Sequence, residues 1–192
     1  MLPLLLASSS VYRRDLLARL RLPFSCSSPD IDESHRPGES AVELVKRLSL
    51  QKARALATLH PEHLIIGSDQ VAALNGQIIG KPHTFDKARQ QLLDASGASV
   101  TFLTGLTLLN SQTGHYQTDC VPFTVHMRAL TPEQVERYLL AEEPYDCAGS
   151  FKAEGLGVSL FQRTEGDDAT SLVGLPLIRL VDMLLAEGVA IP

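Results

Sequence analysis

The sequence predicts a mixed α/β fold, and three observations carry that prediction. Short apolar runs such as Leu2–Ala7, Leu64–Ile66 and Val100–Leu109 alternate with segments of helical composition. Asn75-Gly76, set between Val71–Leu74 and Gln77–Ile79, is a strong two-residue hairpin signal. Val100–Leu109 and His115–Met127, joined by the turn Ser111-Gln112-Thr113-Gly114, read as an antiparallel pair. At 192 residues the chain can build one substantial core, or two lobes sharing one sheet. Its 44% hydrophobic content excludes disorder over most of the length. With no repeat, low-complexity segment or clean linker, residues 1–192 read as a single domain.

Leu2–Ala7 is the first strand. Ser8-Ser9-Ser10 follows, then a helical stretch from Tyr12 to Leu20 with Leu16, Leu17 and Leu20 on one side. A strand running into a serine-rich turn and a helix exposes N–H groups that hold a phosphate, with Arg13 as a charged clamp. Taken alone, the ordinary explanation is that the serines merely cap the helix. Phe24–Ser27 is a second strand, and Pro29–Glu39 a polar loop carrying Asp30, Asp32 and Glu33. Ser40 caps a helix reaching about Leu59, with Ala41, Val45, Leu48, Lys52, Ala55 and Leu59 along one face. Lys52 inside that stripe either snorkels to solvent or faces a cleft as a phosphate ligand.

Leu64-Ile65-Ile66 is a buried strand that Gly67 and Ser68 end, leaving Asp69 on a tight turn. The hairpin then leads to Gly80-Lys81-Pro82. An acid and a base on two turns joined by a rigid hairpin suit a metal ion and a phosphate together; singly, Asp69 as a turn cap and Lys81 as a solvated lysine are the ordinary explanation. Thr84 starts a helix that Ser96-Gly97 ends. Thr131-Pro132-Glu133 starts another, to Ala141. Glu142–Gly157 is a glycine-rich loop or a set of short strands, residues 158–162 a strand, Leu172–Pro176 a turn and Leu177–Ala186 the last helix.

A net charge of −5 argues against a nucleic-acid coating protein and leaves room for a small anionic ligand. Cys26, Cys120 and Cys147 are few, odd and far apart, as in reduced, packing cysteines of a cytosolic protein. Leu2–Ala7 is too short for a signal peptide and has no basic region before it, and no run approaches a membrane span. The six histidines are scattered. His60-Pro61-Glu62-His63 lacks the HExxH spacing, and no serine sits in a GxSxG elbow.

In order along nearly the whole chain, Leu6–Arg14, Asp32-Glu33, Lys52-Ala53, Gly67–Gln70, Gly80–Pro82, Thr104-Gly105, Ala148–Ser150 and Gly174–Pro176 resemble the Maf family of nucleotide pyrophosphatases. The resemblance implies an elongated two-lobed α/β fold, a mixed sheet flanked by helices with a central cleft, of the ITPase-like kind. It implies hydrolysis of a nucleoside triphosphate to monophosphate and pyrophosphate with a divalent metal cation, Mg or Mn. Asp69 would be the proton acceptor and would share the metal with Glu33. Ser8, Arg13, Lys52 and Lys81 would bind phosphate; Tyr12, Gln70 and Glu154 would choose the base. Gln70 points to the branch associated with 7-methyl-GTP rather than to dTTP and UTP. A non-catalytic nucleotide-binding regulator is the rival of another class, and the presence of Asp69, Glu33, Lys52 and Lys81 together argues against it. Partners would be the small nucleotide alone, without nucleic acid or membrane, and a homodimer is compatible with the sequence.

Overall fold

A computed structural model describes residues 2–192. Its strands are β1 (Leu4–Ala7), β2 (Phe24–Ser27), β3 (Leu64–Leu74), β4 (Gln77–Ile79), β5 (Ser99–Asn110), β6 (Tyr116–Met127) and β7 (Phe161–Glu165). They form one seven-stranded mixed sheet in the order β2-β1-β3-β5-β6-β7, with β4 paired to β3. β1 lies parallel to both β2 and β3, whereas β3/β4 and β6/β7 are antiparallel. The helices are α1 (Val11–Ala18), α2 (Ala41–Ala57), α3 (Phe85–Ala95), α4 (Pro132–Glu142), α5 (Ala169–Val173) and α6 (Leu177–Ala186). No described helix is long and apolar enough to cross a membrane.

The chain divides into two compact units, and β3, β5 and β6 each run from one into the other. The first comprises residues up to Gln70, Thr104–Val121 and Asp168–Pro192. Its part of the sheet has a core on each face. Leu4, Leu6, Leu64, Ile66, Leu106 and Leu108 pack with Leu16 and Leu17 of α1 and with Leu180, Met183 and Leu184 of α6. The alternate residues Leu5, Ala7, Ile65 and Leu109 pack with Ala53 and Leu56 of α2. This is the period-two alternation of a strand covered on both sides, which is why these strands read as unbroken apolar runs.

Helix α2 sits unusually close to the sheet because two strand residues lack a Cβ. A Cβ on Gly67 would lie 2.0 Å from the carbonyl oxygen of Ser49, and one on Gly105 would lie 2.1 Å from that of Val45. Gly67 therefore does not end the strand: β3 continues for eleven residues, and Asp69 lies within it rather than on a turn. The buried face of α2 also differs from the expected stripe. It runs through Val45, Leu48, Lys52, Ala53 and Leu56, while Ala55 is exposed and Leu59 lies beyond the helix end. A period of 3.6 carries the face to residue 56, not to 55.

The second unit comprises Val71–Leu103 and Pro122–Asp167. Asn75 and Gly76 both take positive φ, 52° and 79°, as a type I′ hairpin requires. Phe102, Phe151 and Phe161 stack edge to face at 5.3 and 5.0 Å, which anchors the segment before β7. That segment holds two short 3-10 turns, Ala148–Ser150 and Leu156–Leu160, instead of strands, so the last strand begins at Phe161 rather than at 158. None of the three cysteines is paired, and Cys26 is exposed rather than packed.

Gly67→Ala is expected to destabilise the protein by about 1–3 kcal/mol, the usual scale of overpacking. Gly80→Ala, where nothing lies within 4 Å of the added carbon, is the control. Urea unfolding with equal midpoints for Gly67→Ala and wild type would show that α2 is not seated by this contact.

Candidate active site

Seven of the residues singled out in the sequence lie in the first unit: Ser8, Tyr12, Arg13, Glu33, Lys52, Asp69 and Gln70, the last being that unit's final residue on β3. The side chains of β3 alternate. Gly67 and Asp69 face α2, so Asp69 meets Lys52, whose inward position follows from its place on the buried face of that helix. Lys52 Nζ is 2.7 Å from Asp69 Oδ1 and 3.0 Å from Glu33 Oε1. The Lys52 and Asp69 side chains are only 9% and 10% exposed, while Glu33 on its loop is 57% exposed. Lys52 thus faces inward and does not snorkel. One ammonium draws two carboxylates to a single point.

Arg13, on the first turn of α1, donates from Nε to the Gly174 carbonyl at 2.8 Å. Burial pulls its guanidinium below the usual range, and the nearby carboxylates of Asp69 and Glu33 raise it in opposition. It therefore belongs electrostatically to the same cluster. Ser10 caps α1 through the Arg13 N–H, and the buried Ser8 accepts from the Ser10 N–H at 3.1 Å. The serine turn thus has a structural task of its own. Tyr12 is half-buried beside Arg13 on the same turn.

Ser68 and Gln70 point to the other face. Ser68 Oγ is 2.9 Å from the carbonyls of both Gly105 and Gly174. Gln70 Nε2 donates to Thr104 Oγ1, Ser171 O and Leu172 O at 2.9, 2.8 and 3.2 Å. These bonds bolt β3 to the segment around α5, which sequence reasoning took only as a turn from Leu172. Asp168 organises that segment: 4% exposed, it accepts from Thr170 at the start of α5 and from the Ile178 N–H at the start of α6. The Asp-x-Thr spacing of a helix cap was the signal available for it. Gly174, at φ 114°, turns its carbonyl to Arg13 and Ser68 together.

Lys81 and Glu154 belong to the second unit, where both are exposed. Lys81 follows β4 and precedes the buried Pro82; Glu154 lies between the two 3-10 turns. Ser150 donates to Gln91 of α3, and Gly149 takes a φ of 75°, so the Ala-Gly-Ser stretch shapes this unit's backbone. Burial pushes the Cys147 thiol up to about 12, which leaves it almost no thiolate for nucleophilic chemistry.

Two further residues of the first unit escaped sequence reasoning. Arg47 on α2 closes a two-pronged pair on Glu39, Nε to Oε1 at 2.5 Å and Nη2 to Oε2 at 2.7 Å. A cavity of about 330 Å³ beside them is lined by Asp32, Arg36, Arg47, Gln51 and Arg54, and by neither Lys52 nor Asp69. The bond from Arg47 holds the Glu39 carboxyl at about 2, well below its ordinary 4.5. A carboxyl depressed in the folded state contributes stability above its unfolded value and loses it as pH falls toward the folded value. Wild type is therefore expected to lose melting temperature from this pair between about pH 4.5 and 2, and Glu39→Gln to lose less over that window. Parallel melting curves of the two proteins across it would remove the pair from acid sensitivity.

A protein of Pseudomonas fluorescens (strain Pf0-1) named 7-methyl-GTP pyrophosphatase is 82% identical over 192 residues, the whole of both chains. One of Pseudomonas aeruginosa with the same name is 72% identical over 189 residues, 98% of each chain. The solved Ham1 protein of Staphylococcus aureus is similar over 66% of this chain and 72% of its own, with a TM-score of 0.47 and 13% identity. The family model described as Maf-like protein matches residues 3–187, and the chain belongs to the Maf family.

Proposed function

We propose that this protein is a nucleoside triphosphate pyrophosphatase that hydrolyses 7-methyl-GTP to 7-methyl-GMP and pyrophosphate. The observation that carries the reading is the meeting of Asp69 and Glu33 on Lys52, with Arg13 in electrostatic reach. The full-length relatives and their shared name support the substrate. Two convergent hard oxygen donors fit a divalent cation of the Mg or Mn kind, which takes one or two carboxylates and completes its shell with water and substrate phosphates. Glu33 and Asp69 would hold the ion. When bound, it offsets phosphate charge and polarises the scissile phosphoryl group.

The chain's own groups divide the remaining work. Asp69 takes the proton of the water whose oxygen adds to the α-phosphorus. The bond to the bridging oxygen breaks, and the electron pair leaves on pyrophosphate. Lys52 and Arg13, joined by Ser8, stabilise the charge on the phosphoryl oxygens as it shifts. Tyr12 offers an aromatic face to the cationic 7-methylguanine ring, a contact of about 0.5–2 kcal/mol. Glu154 is proposed for base choice from the resemblance alone: a carboxylate favours a cationic ring and accepts from guanine N–H groups. Gln70, whose amide nitrogen is bound to Thr104, Ser171 and Leu172, acts on base choice through the shape of that segment. A nucleotide substrate and unpaired cysteines support a cytoplasmic setting.

A panel of canonical and modified nucleoside triphosphates, assayed for pyrophosphate release, tests the reaction. Pyrophosphate and the monophosphate are expected, with 7-methyl-GTP preferred; a nucleoside diphosphate and inorganic phosphate would refute the chemistry, and preference for dTTP and UTP would refute the substrate. Asp69→Asn is expected to fold and to lose about 10²-fold or more in turnover. Near-normal turnover would exclude Asp69 as the base. Glu154→Gln is expected to lower the ratio of kcat/KM for 7-methyl-GTP over GTP, and an unchanged ratio would return Glu154 to a solvated loop residue.

A further inference from the structure

Glu33 raises a question of support. Its side chain is 57% exposed, so burial does not hold it, yet its carboxylate sits 3.0 Å from the Lys52 ammonium. An exposed glutamate on a polar loop loses such a position unless its backbone is anchored. The anchor is visible on α2, five residues before Lys52. Arg47 Nη2 donates to the carbonyl of Ser34, the residue directly after Glu33, at 3.0 Å. The same guanidinium closes its fork on Glu39 at the far end of the loop, and Nη1 donates to Gln51 at 3.0 Å. Those Arg47 and Glu39 side chains are 14% and 8% exposed. Glu39 in turn accepts from the Arg36 N–H at 3.1 Å, and Asp32 accepts from the Ser34 N–H at 2.9 Å.

We propose that Arg47 is a positioning residue for the reaction: it clamps the 34–39 segment to the helix that carries Lys52, and so holds Glu33 where the two carboxylates converge. The proposal rests on the reading of Glu33 given above. Arg47 reaches no substrate. It acts through the backbone of its neighbour, and the planar two-pronged geometry is the working part, since a lysine at this position offers a point charge and cannot close both bonds to Glu39.

A double-mutant cycle on kcat/KM for 7-methyl-GTP tests it, with Glu33→Gln, Arg47→Met and the double variant, alongside hydrogen exchange and Mn²⁺ binding by electron paramagnetic resonance. Glu33→Gln is expected to lose about tenfold or more. Arg47→Met should lose a comparable factor, with the double variant within about threefold of Glu33→Gln alone. Amides 33–39 should exchange faster in Arg47→Met while those of α2 do not, and Mn²⁺ affinity should fall in both single variants. Arg47→Lys should stay close to Arg47→Met. Multiplying losses, unchanged exchange of the loop, or full rescue by lysine would each overturn the clamp while leaving Glu33 in its role. A silent Glu33→Gln with faster loop exchange in Arg47→Met would instead overturn the role of Glu33, and with it any catalytic purpose of the clamp. If Arg47→Met does not fold, Glu39→Gln, which weakens the same fork from the other side, takes its place in the cycle.

Discussion

The ammonium of Lys52 is the constraint on which the rest of the first unit depends. A charge with under a tenth of its side chain exposed costs several kcal/mol unless paired, and Asp69, equally hidden, faces the same cost. Each makes the other tolerable, and only at a separation of 2.7 Å. That distance demands a helix lying close against a strand. The closeness demands two strand positions with no side chain, and Gly67 and Gly105 supply them. The packing of α2 and the chemistry of the site are therefore one requirement stated twice. Removing Lys52 or Asp69 alone leaves a buried charge without its partner, and Asp69→Asn keeps the shape but not the charge, so turnover of any such variant is read beside its melting temperature.

Much of the fold could be read directly because its signals are local. Ser40 with Glu43 and Thr131 with Gln134 form reciprocal caps within four residues, and Asn75-Gly76 specifies its hairpin by backbone conformation alone. The misreadings arise where local sequence is ambiguous. Glycine after an apolar run looks like punctuation, and only the carbonyl of a distant helix explains Gly67. Helix α5, five residues long, is too short for any periodicity to register. Leu156, Val158 and Leu160 alternate as a strand would, yet they occupy a 3-10 turn leading into β7.

The site was legible in another way. Asp69, Lys52, Arg13 and Glu33 have ordinary structural explanations one at a time, and it was their order along the chain that gave them meaning. Geometry then gathered those four in one unit. The residues that hold them are harder to see: Arg47 and Glu39 are eight positions apart across a loop and a helix start, Asp168 shows only the Asp-x-Thr spacing of a cap, and Gly174 acts through its backbone carbonyl.

Ser68, Asp69 and Gln70 are adjacent letters with unrelated duties. The middle one faces Lys52, and the outer two tie β3 to Gly105 and Gly174, and to Thr104, Ser171 and Leu172. Replacement at each of the three positions removes a different set of contacts. A saturation screen scored on survival or catalysis alone would return one undivided block of sensitivity there. Only a paired measure of abundance would separate a loss of charge pairing at the middle letter from a loss of strand anchoring at the outer two.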